Sequence, residues 1–228
     1  MCGRYLVDDE VYADMWMLMN NPDAFPGVAP GASDAAAGAG PDPVRGIGQN
    51  LAKGEVFPTN IAPVIAIDDA SANIKVQGRR WGFPHWKGSG VIINARAETA
   101  LAKKMFSKPL LNQRCVIPSS GFFEWNRTGS GKKADKYLLR MPGEHILFMA
   151  GMIGVFPDAN GDIYEAFVIL TTAANPSVAP IHDRMPVILA SDEKIGWIRD
   201  DEFMEYVLHR PGPGLVAAVD PHQHFHQR

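Results

Sequence analysis

The chain opens on MCGRY, with Cys2 directly behind the initiator methionine and only one other cysteine, Cys115. Residue 2 is small enough for methionine aminopeptidases to clear Met1. A cysteine freed in that way carries a thiol and an α-amine on adjacent carbons. Gly3 allows close approach, and Arg4 supplies a planar fork of donors for a phosphate or carboxylate. Three more stretches set polar residues against apolar strand ends. VIINARAET brings Asn94, Arg96 and Glu98. RCVIPSSGFFEWN places Glu124 between Phe123 and Trp125, surroundings that raise a carboxyl pKa and suit it to proton transfer near neutral pH. APIHDRMPVIL carries His182 in a turn that enters a strand. Each residue also has a plain structural reading: Cys2 in a frayed terminus, Asn94 as a turn former, Glu124 on a strand surface, His182 paired with Asp183, and Arg96 with Glu98 as a local ion pair. Cys115 lies inside an apolar run and reads as core.

Positioning these residues falls to short β-branched runs: IAPVIAI, VIIN, RCVIP, KYLLRM, ILFMAGMIGVF and AFVILTT, mostly separated by Gly, Pro, Asn and Asp. Helical spacing marks DDEVYADMWMLMN, AETALAKKMF and SDEKIGWIRDDEFMEYVLH. The expected architecture is α+β, one domain over residues 1–228 with a mainly antiparallel β-sheet or barrel core and flanking helices. Residues 26–50, rich in Gly, Ala and Pro, read as a loop insertion, and residues 211–228 as a tail-like C-terminus.

Length and composition are those of a soluble globular protein: 228 residues, 46% hydrophobic and 21% charged. No run is long and apolar enough to span a membrane, and no secretory signal pattern opens the chain. Two cysteines make no disulfide framework, and no CxxC pair offers a zinc site, so a reducing cytoplasmic setting with neither metal nor cofactor is expected. Charge is unevenly divided. Lys75 to Arg140 holds fourteen basic residues against three acids, a balance of +11 in a chain whose net charge is −3. Such a division suits a face that meets a polyanion.

MCGRY, TNIAP, WGF, NARAET, RCVIPSSGFFEW and IHDRMPV follow one another in the order found in the SOS-response-associated peptidase family, which the chain resembles from residue 2 to about 190. Members of that family process abasic sites, crosslinking covalently to them in single-stranded DNA. The resemblance implies Cys2 as the nucleophile. Its α-amine would form an imine with the ring-opened abasic sugar, and its thiol would then close a thiazolidine. Unperturbed, the amine titrates at about 7.7–8.0 and the thiol at about 8.5, both within reach of activation near neutrality. By the same resemblance Glu124 manages protons, His182 shuttles them at the sugar, and Asn94 orients the terminus or the sugar. Arg4 and Arg96 would hold flanking phosphates, and Asn60 and Trp81 would contact nucleic acid or line the pocket, although Trp81 can equally be core.

The resemblance implies no cofactor and a monomer acting on single-stranded DNA, cytoplasmic or at the nucleoid in a bacterium. A second reading makes Cys2 the nucleophile of a thiol autopeptidase or amidohydrolase, with His182 as base and Asn94 at the oxyanion. A third makes the chain a single-stranded nucleic-acid binding module in which Cys2 is incidental. The closing GPGLVAAVDPHQHFHQR departs from the family pattern, which leaves the last part of the sheet open.

Overall fold

Alternating and fully apolar β-branched runs pair into sheets because only pairing satisfies their backbone polar groups once the side chains are buried. A computed structural model describes residues 2–20, 51–68, 72–85, 88–126 and 134–220. The loop expected at 26–50 and the histidines near the C-terminus lie outside the described residues.

Five strands close on one another: β3 (Ile61–Ile67), β4 (Ile74–Trp81), β8 (Arg114–Ser119), β11 (Leu147–Pro157) and β12 (Ile163–Ala173). β12 pairs with both β4 and β11, β4 with β3, β3 with β8, and β8 with β11, so the ring has no free edge. Short strands β13 (Arg184–Pro186) and β7 (Asn94–Arg96) add to β12, and β14 (Ile188–Leu189) adds to β11. A small hairpin joins β5 (Phe83–Pro84) to β6 (Val91–Ile92).

A second, wholly antiparallel sheet runs β15-β10-β9-β1-β2. Its strands are β1 (Arg4–Val7), β2 (Gly54–Val56), β9 (Gly121–Asn126), β10 (Asp135–Arg140) and β15 (Val216–Val219). The α+β, mainly antiparallel expectation holds, with two parallel pairings, β12 to β4 and β12 to β7. Residues 216–219, read from sequence within a tail, instead pair with β10 as β15. Lys136 fixes them further: its backbone oxygen accepts from Asp220 N at 2.8 Å and its ammonium meets the Asp220 carboxylate at 2.8 Å.

Among the described residues five helices flank the sheets: α1 (Asp9–Asn20), α2 (Ala97–Ala100), α3 (Lys104–Asn112), α4 (Lys194–Arg199) and α5 (Asp201–His209). The Asp8 carboxylate accepts from Val11 N at 3.1 Å at the start of α1, which buries Val11 and Met15 one turn apart. The two sheets meet over aromatic side chains. Tyr5 packs edge-on to Trp81 at 5.0 Å, and Trp81 stacks on Phe167 at 6.4 Å.

Candidate active site

β1 lies between β2 and β9, with Arg4 opposite Phe123 and Tyr5 opposite Phe122, which brings the chain's start alongside Glu124. Cys2 is 1% exposed. The Asn94 Nδ2 donates to its carbonyl oxygen at 2.9 Å, and its own thiol points to the Arg4 carbonyl at 3.5 Å. Burial pushes the thiol well above its ordinary value, and the Glu124 carboxylate adds to the rise. The Cys2 sulfur therefore rests as a neutral thiol.

Glu124 is 2% exposed on a strand whose neighbours Phe122 and Phe123 are also buried. Loss of water lifts its carboxyl from 4.5 to about 7, with the Asp183 charge adding to the shift. The aromatic flanks in the sequence pointed to this rise. The structure adds that Asp183, from the loop before β13, acts at the same place.

Asn94 reaches this site through parallel pairing of β7 with β12, where it sits level with Ile169. With its Nδ2 committed to Cys2, its buried Oδ1 has no hydrogen-bond partner. An open acceptor beside a cysteine is a place for a donor to arrive, because burying it unpaired is costly.

His182 is anchored on one side of its ring. Its Nδ1 accepts from Arg184 N at 3.0 Å and faces Asp183 Oδ1, also at 3.0 Å. The neighbouring Arg184 forks onto Glu98, with Nη1 to Oε1 at 2.6 Å and Nη2 to Oε2 at 2.9 Å, and it also donates to the Thr171 carbonyl at 2.6 Å. This clamp ties the His182 turn to the end of β7. It replaces the local Arg96–Glu98 pair that the sequence suggested. Arg96 is exposed at the end of β7.

Arg4 is bound at 3.0 Å to Glu55, and its guanidinium lies over the rings of Phe57 at 4.6 Å and Trp125 at 5.2 Å. Glu55 also meets Lys136 at 2.9 Å, so a row of alternating charge crosses the sheet from Arg4 to Asp220. Sequence reading missed Glu55, Lys136 and the Arg184 clamp, since partners up to 86 positions apart leave no local signal.

Asn60 closes a turn. Its Oδ1 accepts from Phe57 N at 2.9 Å, and this holds the ring beneath Arg4. Trp81 corrects an expectation. It is 0% exposed, its indole N–H donates to the Ile93 carbonyl at 3.1 Å, and no ring face is open to a base. Cys115 is core as expected, fully buried among strands with its thiol pushed up by burial. Among the described residues no group of three or more metal-ligating side chains converges. No described helix is long and apolar enough to cross a membrane.

A closed, mainly antiparallel barrel backed by a second sheet, with Cys2 set against the buried, protonatable Glu124 carboxyl, defines an α+β protein with a candidate nucleophile site. The model of the SOS response associated peptidase (SRAP) family matches residues 1–213, and the chain belongs to that family. It is 36% identical over 161 residues to the abasic site processing protein YoaM of Bacillus subtilis, covering 67% of this chain and 70% of that one. To the abasic site processing protein YedK of Escherichia coli it is 34% identical over 146 residues, covering 62% and 64%. A crystal structure of a Bacteroides thetaiotaomicron protein superposes with a TM-score of 0.65 at 27% identity, over 78% of this chain and 82% of that one.

Proposed function

We propose that this protein processes abasic sites in single-stranded DNA by capturing them covalently on Cys2 once Met1 has been removed. The observation that carries the reading is the placement of Cys2: its carbonyl held by Asn94, its sulfur within the field of Glu124, and the open Asn94 Oδ1 alongside. The names of the relatives agree with it.

In the proposed reaction the freed α-amine attacks C1 of the ring-opened deoxyribose. A carbon–nitrogen bond forms, the aldehyde oxygen leaves as water, and an imine results. The thiol then adds across the imine, a carbon–sulfur bond closes the thiazolidine, and the sulfur's proton ends on nitrogen. Glu124, held to about 7, is present in both protonation states near neutrality. It can donate to the departing hydroxyl and accept from the incoming thiol. Asn94 Oδ1 accepts from the freed amine and aims its lone pair at the sugar. His182, its Nδ1 engaged by the backbone, moves protons at the sugar through its other nitrogen. Arg4 and Arg96 hold the phosphates on either side.

The raised thiol weighs against an amide-cleaving mechanism, which runs on a thiolate with a lowered pKa. The test is a denaturing gel of Met1-free protein with single-stranded DNA carrying one abasic site. A shifted band is expected for the wild type and none for Cys2→Ala or for intact DNA. A shifted band in Cys2→Ala contradicts the proposal.

A further inference from the structure

The end of the barrel remote from Cys2 also holds a cavity, of about 280 Å³, bordered by Asp68, Gln77, Arg79, Ile153, Glu165 and Ile198. Glu165 stands four residues before Ile169, the residue level with Asn94, or about 13 Å along β12. β4 runs parallel to β12, so Gln77 and Arg79 lie toward that same far end. The cavity is therefore separate from the Cys2 site.

Its polar groups do not balance. Arg79 donates through Nη1 to the Gly78 carbonyl at 2.9 Å and through Nη2 to Glu165 at 2.6 Å and to the Gln77 Oε1. These bonds leave two buried donors without a partner, Gln77 Nε2 and Arg79 Nε, and Gln77 is only 7% exposed. Unpaired buried donors call for an acceptor. The charges around them are already matched: Arg79 with Glu165, Lys75 with Asp68 at 2.8 Å, and Arg114 with Asp201 at 2.9 Å. Arg79 already shares its charge with Glu165, which disfavours a ligand with several negative charges, whereas one carboxylate brings two oxygens to two N–H donors, one of them on the Arg79 guanidinium itself. The walls from Ile153 and Ile198 suit a short hydrocarbon part, and the volume limits the ligand to a small molecule.

We propose that this cavity binds a short-chain monocarboxylate, its carboxylate on Gln77 Nε2 and Arg79 Nε and its apolar end against the isoleucines. The probe is isobutyrate, with isobutyramide as its uncharged isostere, added at constant ionic strength to the full chain. The readout is the side-chain N–H resonances of Gln77 and Arg79. Saturable shifts at both with isobutyrate, and weaker binding by at least about tenfold in Gln77→Met, are the expected result. Arg79→Lys, which keeps a cation for Glu165 but removes Nε, provides a second variant if Gln77→Met does not fold, and it too should weaken binding. Cys2→Ala should bind isobutyrate as the wild type does. Non-saturating drift, an equal response to isobutyramide, or unchanged binding in the variants would overturn the assignment.

Discussion

A carboxyl lifted from 4.5 to about 7 makes Glu124 a liability to the fold and an asset to the chemistry. Below 4.5 the side chain is protonated in both folded and unfolded chains. Between 4.5 and about 7 the folded chain keeps a proton that the unfolded chain has lost, so stability falls as pH rises through this window. Glu124→Gln should therefore be more stable than wild type at pH 8, by roughly 3 kcal/mol, with the gap closing below pH 4.5. The same variant should crosslink about 10²- to 10⁴-fold more slowly. Urea melts at the two pH values and a crosslinking time course check both, and equal stability at pH 8 would contradict the buried carboxyl. Tyr5 offers a cleaner stability test, because its fully buried hydroxyl has no hydrogen-bond partner. Tyr5→Phe should raise the urea midpoint, by about 1 kcal/mol in stability, with an unchanged m-value. Their residue types marked Cys2, Asn94 and Glu124 in the sequence as candidates for chemistry, and the structure brings the three together. Trp81 was less legible, since an indole buried between two sheets and one stacked on a base are written with the same letter.

Strands were the most legible elements. The run IAPVIAI coincides with β3 from Ile61 to Ile67, because its apolar, β-branched composition suits no other buried element of that length. Helix ends were harder to place. SDEKIGWIRDDEFMEYVLH reads as one helix but breaks at Asp200, which takes extended backbone and accepts from Phe203 N at 3.0 Å to cap α5. No Gly or Pro marks that break. The parallel pairing of β7 with β12, which delivers Asn94 to Cys2, links positions 75 apart and left no trace in local pattern. The WGF element was legible as a motif, but its purpose was not. Gly82 follows Trp81 with φ of +114°, and a Cβ there would sit 2.8 Å from the Cβ of Val91. Gly82→Ala should cost about 2–3 kcal/mol in a denaturant melt, and a neutral outcome would show that the β5–β6 hairpin can yield.

Across the whole molecule, the basic stretch from Lys75 to Arg140 is less of a bare cationic face than its +11 balance suggests. Lys75, Arg79, Arg114 and Lys136 each meet an acid from outside that stretch: Asp68, Glu165, Asp201, and Glu55 with Asp220. The fold spends much of the charge asymmetry on joining its own parts. Arg4 is likewise tempered by Glu55, so Glu55→Gln should steepen the salt dependence of binding to intact single-stranded DNA by about 0.7 in log–log slope, one more cation being left for phosphate. An unchanged slope would mean that Arg4 does not face the DNA. The proposed capture at Cys2 is a single bond-forming sequence, and the intact mass of the purified adduct identifies its product. A thiazolidine predicts the mass of the Met1-free chain plus the abasic strand less one water, with no change on borohydride treatment. A mass with no water lost, or an adduct that borohydride reduces, would contradict ring closure by the Cys2 thiol.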